Sequence, residues 1–172
     1  MAFCAVLFSA HAYAQQFGRV EVFGGYSYLG YYVYPAHTGP WTRNGYNGIE
    51  ASAAFHLLPH LAAETDFGFE FDQTRIQTYL GGPRLSASVN KADFYVHALF
   101  GGLRDTYCCA ADTTFAAAVG GGTDYWFNHN FGARFLQADY IRTSTPVGSY
   151  SAAPGSHGNF RVSTGFVFRF GH

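Results

Sequence analysis

Residues 159–170 read Asn-Phe-Arg-Val-Ser-Thr-Gly-Phe-Val-Phe-Arg-Phe. In an extended chain, successive side chains point to opposite faces. Phe160, Val162, Thr164, Phe166, Phe168 and Phe170 therefore share one face, and Arg161, Ser163, Gly165, Val167 and Arg169 share the other. A soluble barrel hides its aromatic face inside. A continuous aromatic face backed by two arginines is the pattern of a strand with lipid outside and a polar, ion-paired lumen inside.

The same alternation recurs upstream and predicts seven further strands. Gly18–Gly30 sets Val20, Val22, Tyr26 and Tyr28 against Arg19, Glu21 and Ser27. Gly45–Leu57 sets Ile49, Ala51, Ala53, Phe55 and Leu57 against Glu50, Ser52 and Ala54. Leu61–Asp72 sets Ala63, Thr65, Phe67, Phe69 and Phe71 against Glu64, Asp66, Gly68, Glu70 and Asp72. Thr78–Ala87 contains Gly81-Gly82-Pro83-Arg84, where an interior proline predicts a bulge or kink. Ala92–Arg104 sets Phe94, Val96, Ala98 and Phe100 against Asp93, Tyr95, His97 and Leu99. Thr113–Phe127 and Phe131–Thr143 complete the set.

The predicted connections alternate in length. Tyr31–Asn44 and Ser144–Gly158 are long, Gln73–Gln77 and Asp105–Asp112 are medium, and Leu58–His60, Ser88–Lys91 and Asn128–Asn130 are short. Eight strands with every second connection short define an all-β fold, an eight-stranded antiparallel up-and-down transmembrane β-barrel. Closure is obligatory, because lipid offers no partner for an exposed strand edge. Aromatics gather near strand ends (Tyr26, Tyr28, Tyr31, Tyr32, Phe69, Phe71, Tyr125, Trp126, Tyr140, Phe168 and Phe170), where girdles at the two interfaces belong.

Composition agrees. Of 172 residues, 19% are aromatic and only 12% charged, against about 25% charged in an average soluble domain. Net charge is −1, which leaves no electrostatic footprint for nucleic acid. No apolar run reaches the length of a transmembrane helix. Met1–Ala10 is apolar and Ala12-Tyr13-Ala14 has the form of a cleavage site, so residues 1–14 read as a signal peptide and 15–172 as the barrel domain. No Lys or Arg precedes that apolar core.

The predicted lumen carries Arg19, Glu21, Glu50, Glu64, Asp66, Glu70, Arg161 and Arg169. Arg84, Asp93, Asp124, Arg134 and Asp139 join them if register allows. Buried charges need partners, so an ion-pair network is expected, with Arg161 and Arg169 paired to Glu21, Glu64 or Asp66. Eight strands leave a lumen that side chains can fill, which argues for a plugged barrel over an open pore.

The chain resembles OmpA-like eight-stranded outer-membrane β-barrel domain proteins. The carriers are Val20-Glu21-Val22-Phe23-Gly24-Gly25-Tyr26-Ser27-Tyr28-Leu29, Gly82-Pro83-Arg84, His97-Ala98-Leu99-Phe100-Gly101-Gly102, Gly120-Gly121-Gly122-Thr123-Asp124-Tyr125 and Gln137-Ala138-Asp139-Tyr140. The resemblance implies a place in the bacterial outer membrane among its lipids. It also implies insertion by the barrel-assembly machinery through a C-terminal aromatic signal, here Phe166, Phe168 and Phe170. The peptidoglycan-binding domain of full OmpA-type proteins is not present in this sequence.

Two other readings compete. One is a lipid-modifying enzyme on the same fold, a lipid A deacylase or acyltransferase. The deacylases carry a His-x-Ser pair, and no histidine here has Ser two residues on: Leu99 follows His97, Phe131 follows His129 and Asn159 follows His157. The other is a lipocalin-like soluble carrier, which needs the phenylalanines inside. No catalytic residue, cofactor or metal is expected. His37, His129 and His157 fall in different connections or their borders, and adjacent Cys108 and Cys109 read as loop residues or a vicinal disulfide.

Overall fold

The computed structural model describes residues 19–33, 42–71, 75–107, 110–144 and 156–171. The strands are β1 (Val20–Val33), β2 (Thr42–Leu58), β3 (Leu61–Phe71), β4 (Arg75–Val89), β5 (Ala92–Tyr107), β6 (Ala110–Trp126), β7 (Phe131–Ser144) and β8 (Ser156–Phe170). They pair in sequence order, all antiparallel, and β8 closes on β1. Val20 faces Phe170 and Gly30 faces Phe160 across that seam. The sheet has no free edge, which is the condition for placing it in lipid.

One ladder gives the stagger. His56 N donates to Arg19 O, and His56 pairs with Ala62. The line then runs through Arg84, His97, Gly120, Asp139 and Arg161, and returns to β1 at Leu29. It left β1 at Arg19 and came back ten residues higher. Eight strands with that shear tilt by about 40°, the inclination of membrane-spanning barrels.

Most strands are longer than the alternation predicted, and the extra length lies mostly at the end opposite the short turns. Segments 34–41 and 145–155 are the long connections there. The two medium ones shrink to 72–74 and 108–109, because β4 begins at Arg75 while β5 and β6 extend to Tyr107 and Ala110. Cys108, Cys109, Asp72 and residues 1–14 lie outside the described residues. At the other end, Pro59-His60, Asn90-Lys91 and Phe127–Asn130 close the turns. Asn90 takes φ 57°, a left-handed position that Asn tolerates better than most side chains.

Of the bulge or kink expected at Pro83, there is no bulge. Gly81 pairs with Phe100 and Arg84 with His97 in one unbroken register. Only the two intervening ladder pairs are missing, so the lost N–H is absorbed by a local opening. Register shifts occur instead at His56/Leu58, Thr123/Asp124 and Arg134/Gln137.

Glycines seat the outer tyrosines. A Cβ on Gly45 would meet the Tyr28 hydroxyl at 2.1 Å, one on Gly102 the Tyr79 ring at 2.5 Å, and one on Gly158 the Tyr140 hydroxyl at 2.2 Å. Each ring therefore lies over a glycine of the next strand. With the stagger removed, Tyr28, Tyr79 and Tyr140 stand at one level, toward the end that carries the long connections.

Candidate functional site: a filled lumen inside an apolar belt

The two faces of every strand meet different surroundings. On β3 the burial alternates residue by residue from Ala62 to Phe71. Phe67, Phe69 and Phe71 stand outward, 41–56% exposed, while Glu64, Asp66 and Glu70 are at most 2% exposed. Phe94, Phe100, Phe115, Phe135, Phe166, Phe168 and Phe170 continue the outward belt around the barrel. A soluble monomer rarely shows an apolar patch beyond a few hundred Å², and here it encircles the molecule.

The lower third of the lumen, nearest the short turns, is a charged cluster. Glu21 accepts from Arg169 at 2.9 Å and Arg19 at 3.0 Å, with His56 at 3.2 Å and Arg84 at 3.5 Å. Arg169 also donates to Asp93 at 2.7 Å and lies 3.6 Å over the Trp126 ring, whose Nε1 donates to the same carboxylate. Arg134 makes a two-pronged contact with Asp124 at 2.7 and 3.1 Å and rests on Phe23 at 4.2 Å. Arg84 adds 3.1 Å to Asp124 and sits 3.8 Å over Tyr95.

The middle tier is organised by His97 and Arg161. Glu64 engages His97 Nδ1 at 2.8 Å and Asp139 engages Nε2 at 2.9 Å. Arg161 reaches Asp139 at 2.7 Å, Asp66 at 2.8 Å and Glu50 at 3.2 Å. Gln137 ties the tiers together. Its amide donates to Glu50 and Asp139, both at 2.8 Å, and its oxygen accepts from Tyr95 at 2.7 Å and Arg134 at 2.6 Å. Ser163 donates to Glu50, and Ser27 to Glu70 at 3.1 Å.

Buried carboxylates (Glu21, Glu50, Glu64, Asp66, Glu70, Asp93, Asp124 and Asp139) outnumber the lumen arginines (Arg19, Arg84, Arg134, Arg161 and Arg169). Hydroxyl, amide and indole donors from Ser27, Ser163, Gln137 and Trp126 supply part of what the guanidinium groups do not, while Asp66 Oδ2 and Glu70 Oε2 are buried with no hydrogen-bond partner among the described residues.

Above these tiers apolar side chains gather, interleaved with buried polar ones: Glu70 pairs across the ladder with Ile76, Thr78 with Leu103 and Asn159 with Ile141. Leu29, Tyr46, Ile76, Leu80, Leu99, Leu103, Ala116, Ala118 and Ile141 form one buried cluster. Of this layer, the sequence reading placed only Leu99 on the inward face. Apolar inward residues among apolar outward ones break no visible alternation, and only the in/out phase of each strand, carried upward from its charged positions, marks Ile76 or Leu103 as interior. Phe23 and Trp126 were missed for the same reason. Trp126, expected in a girdle, is 6% exposed and packs in the lumen with Phe23 and Val167.

The arrangement can brace a barrel, and it offers little to a substrate. His97 is buried with both ring nitrogens occupied. Among the described residues, no three His, Cys, Asp or Glu side chains converge to hold a metal ion. His129 is exposed in a turn, while His37 and the His157 side chain lie outside the description.

Fold and lumen together define an eight-stranded barrel of the outer-membrane type. No family model matches the chain and no curated protein matches its sequence. Solved structures do match in fold. The N-terminal β-barrel domain of Pseudomonas aeruginosa OprF superposes with a TM-score of 0.62 at 16% identity, covering 91% of this chain and 100% of that one. Neisserial surface protein A gives 0.60 at 13% identity, covering 88% and 96%. Ail, the attachment invasion locus protein of Yersinia pestis, gives 0.53 at 14%, covering 90% and 100%. The chain thus shares the OmpA-like eight-stranded architecture of these outer-membrane barrels.

Proposed function

We infer that this chain is a non-enzymatic integral barrel of the bacterial outer membrane, with a filled lumen, structural or surface-interacting through its outer connections. One observation carries the reading: large apolar side chains face outward on all eight strands while the interior holds interlocked charges and a leucine-rich layer. An apolar exterior calls for lipid, and a packed interior leaves no aqueous path. The likeness to Ail, named for attachment and invasion, is in keeping with a surface role.

Residues 1–14 serve as the export signal, and the outward aromatics Phe166, Phe168 and Phe170 of β8 serve as the signal to the barrel-assembly machinery. The enzymatic reading is disfavoured by the direction of the acid–base groups. Among the described strand residues, carboxylates and histidines point into the lumen, away from any lipid substrate.

Cell fractionation with unboiled gel electrophoresis tests this. The expected result is recovery in the outer membrane with migration that changes on heating. Recovery as a soluble periplasmic monomer would overturn it and restore the soluble-carrier reading.

A further inference from the structure

Hydrogen-bond direction in the middle tier leaves one carboxylate oxygen without a donor. Glu50 accepts at both oxygens: Oε1 takes the Gln137 amide at 2.8 Å, and Oε2 takes the Ser163 hydroxyl and lies 3.2 Å from Arg161 Nε. Asp139 is filled likewise, by His97 at Oδ1 and by Arg161 and Gln137 at Oδ2. Asp66 differs. Its Oδ1 accepts from Arg161 at 2.8 Å, whereas Oδ2 is buried with no donor among the described residues. The side chain is fully enclosed, so solvent does not serve that oxygen.

Asp66 meets Glu50 instead. The two lie diagonally across β2 and β3, since Asp66 pairs with Ser52 and Glu50 with Gly68, and their carboxyl groups come within hydrogen-bond reach of each other. Ionised carboxylates only accept. Two of them form a hydrogen bond only when one carries a proton, and like charges in such contact away from water do not both ionise.

The surrounding charges point the same way. Glu50, Glu64, Asp66 and Asp139 share Arg161 and His97, and Arg84 stands off Glu64 at 3.7 Å. Both ring nitrogens of His97 face carboxylate oxygens, so its ring already serves as a cation. The lower cluster is richer, with Arg19, Arg84, Arg134 and Arg169 for Glu21, Asp93 and Asp124, and with His56 beside Glu21. The other described basic residues, Arg75, Lys91, Arg104 and Arg142, are exposed. Glu70, higher on β3, accepts from Ser27. The shortage of cations thus falls where the oxygen without a donor lies.

We propose that Asp66 Oδ2 carries a proton and donates it to Glu50, so that the two carboxyl groups form one shared-proton pair at the centre of the lumen. The hydrogen-bond map places the proton on Asp66, because both Glu50 oxygens already accept. This rests on the filled-lumen reading above and adds a consequence to it. The barrel holds a proton that the unfolded chain releases, so its stability falls as pH rises above the ordinary carboxylate range.

Infrared spectroscopy of the barrel folded in phosphatidylcholine vesicles reads the proton directly. At neutral pH the wild-type protein should show the carbonyl stretch of a protonated carboxyl group, and isotopic labelling of the aspartate carboxyl carbons should shift that band. Asp66→Asn should remove it. The amide oxygen still accepts from Arg161 and the amide N–H takes over the bond to Glu50, so the folded gel band should be lost at nearly the wild-type temperature. Asp139→Asn, which sets an amide against donors, should lower that temperature sharply and keep the infrared band. Unfolding gives a second readout: the wild-type unfolding constant should rise about tenfold more per pH unit than that of Asp66→Asn, the share held by His97 being common to both. Absence of an aspartic acid band in the wild-type barrel overturns the proposal without recourse to any variant, and so does a band that survives Asp66→Asn. A heat-modifiable barrel without the band removes the shared proton alone; a chain with no heat-modifiable form removes the membrane reading and the proton with it.

Discussion

Arg161 shows at the residue scale how an expensive group becomes necessary. Its guanidinium is fully buried and faces Asp66, Glu50 and Asp139 within 3.2 Å. Desolvating such a cluster offsets most of its Coulomb gain, so the network adds modest net stability, but removing one partner strands the others. Arg161→Met should therefore cost about 3–5 kcal/mol, because the carboxylates would remain buried without their cation. Urea unfolding of the barrel in vesicles measures it, and a loss under about 1 kcal/mol would place water among those carboxylates. Position along the lipid face matters in the same way. Val119 lies near mid-depth on β6, whereas Phe168 lies toward the lower end of β8, beside Val22 and Phe131. Val119→Arg should cost about 2–4 kcal/mol and Phe168→Arg distinctly less, as the penalty falls toward the interface. A silent Phe168→Arg together with a lethal Arg169→Phe would be compatible with this order only if Val119→Arg is costly; equal, negligible costs on both lipid-face sites would reverse inside and outside.

At the scale of the element, β8 does two jobs. It closes the barrel against β1 through a ladder running from Val20↔Phe170 to Gly30↔Phe160, and it presents an aromatic edge to the exterior. Replacing Phe166, Phe168 and Phe170 with leucine keeps the face apolar and the ladder intact. The expected outcome is slower assembly in cells with near-normal folding of the purified chain into vesicles. Equal loss in both settings would assign these rings to packing alone: Phe131 stacks on Phe166 at 5.5 Å and meets Phe168 at 5.1 Å, so some stability is at stake. The strand pattern itself was legible, since β3 and β8 keep strict alternation. Strand ends were not. Ladder hydrogen bonds continue past the last patterned residue as long as a neighbour extends too, which is how β5 and β6 run on to Tyr107 and Ala110.

Taken as a whole molecule, the barrel is filled by an ion-pair network below and by an apolar cluster interleaved with Glu70, Thr78 and Asn159 above. A planar-bilayer recording of the purified protein should show no steady conductance. Well-resolved channel steps from the folded monomer would mean that the leucine-rich layer opens, and Leu99→Ala combined with Leu103→Ala would then be expected to enlarge them. The same tiers bear on how the interior could be read in advance. The charges of the strongly alternating strands (Glu21, Glu50, Glu64, Asp66, Arg161 and Arg169) were legible as inward-facing, since a charge among alternating aromatics declares its side, whereas Arg84, Asp93, Asp124, Arg134 and Asp139 depended on register. Partners were not. Arg169 meets Glu21 and Asp93, Arg161 meets Asp66, Glu50 and Asp139, and Glu64 turns to His97 and Arg84.

Alternation with period two is a local property, so the amino-acid order alone determined that there are eight strands, which face of the five clearly alternating ones meets lipid, and that their charges are enclosed. Which charge meets which is a property of the closed sheet. It depends on a ten-residue stagger accumulated over eight pairings and on bulges at Thr123/Asp124 and Arg134/Gln137. These shift β7 by one residue and so bring Arg134 to Asp124 and Gln137 to Glu50. The apolar cluster of the upper lumen is likewise a tertiary fact, because depth along the barrel exists only once the strands share one tilt and one axis.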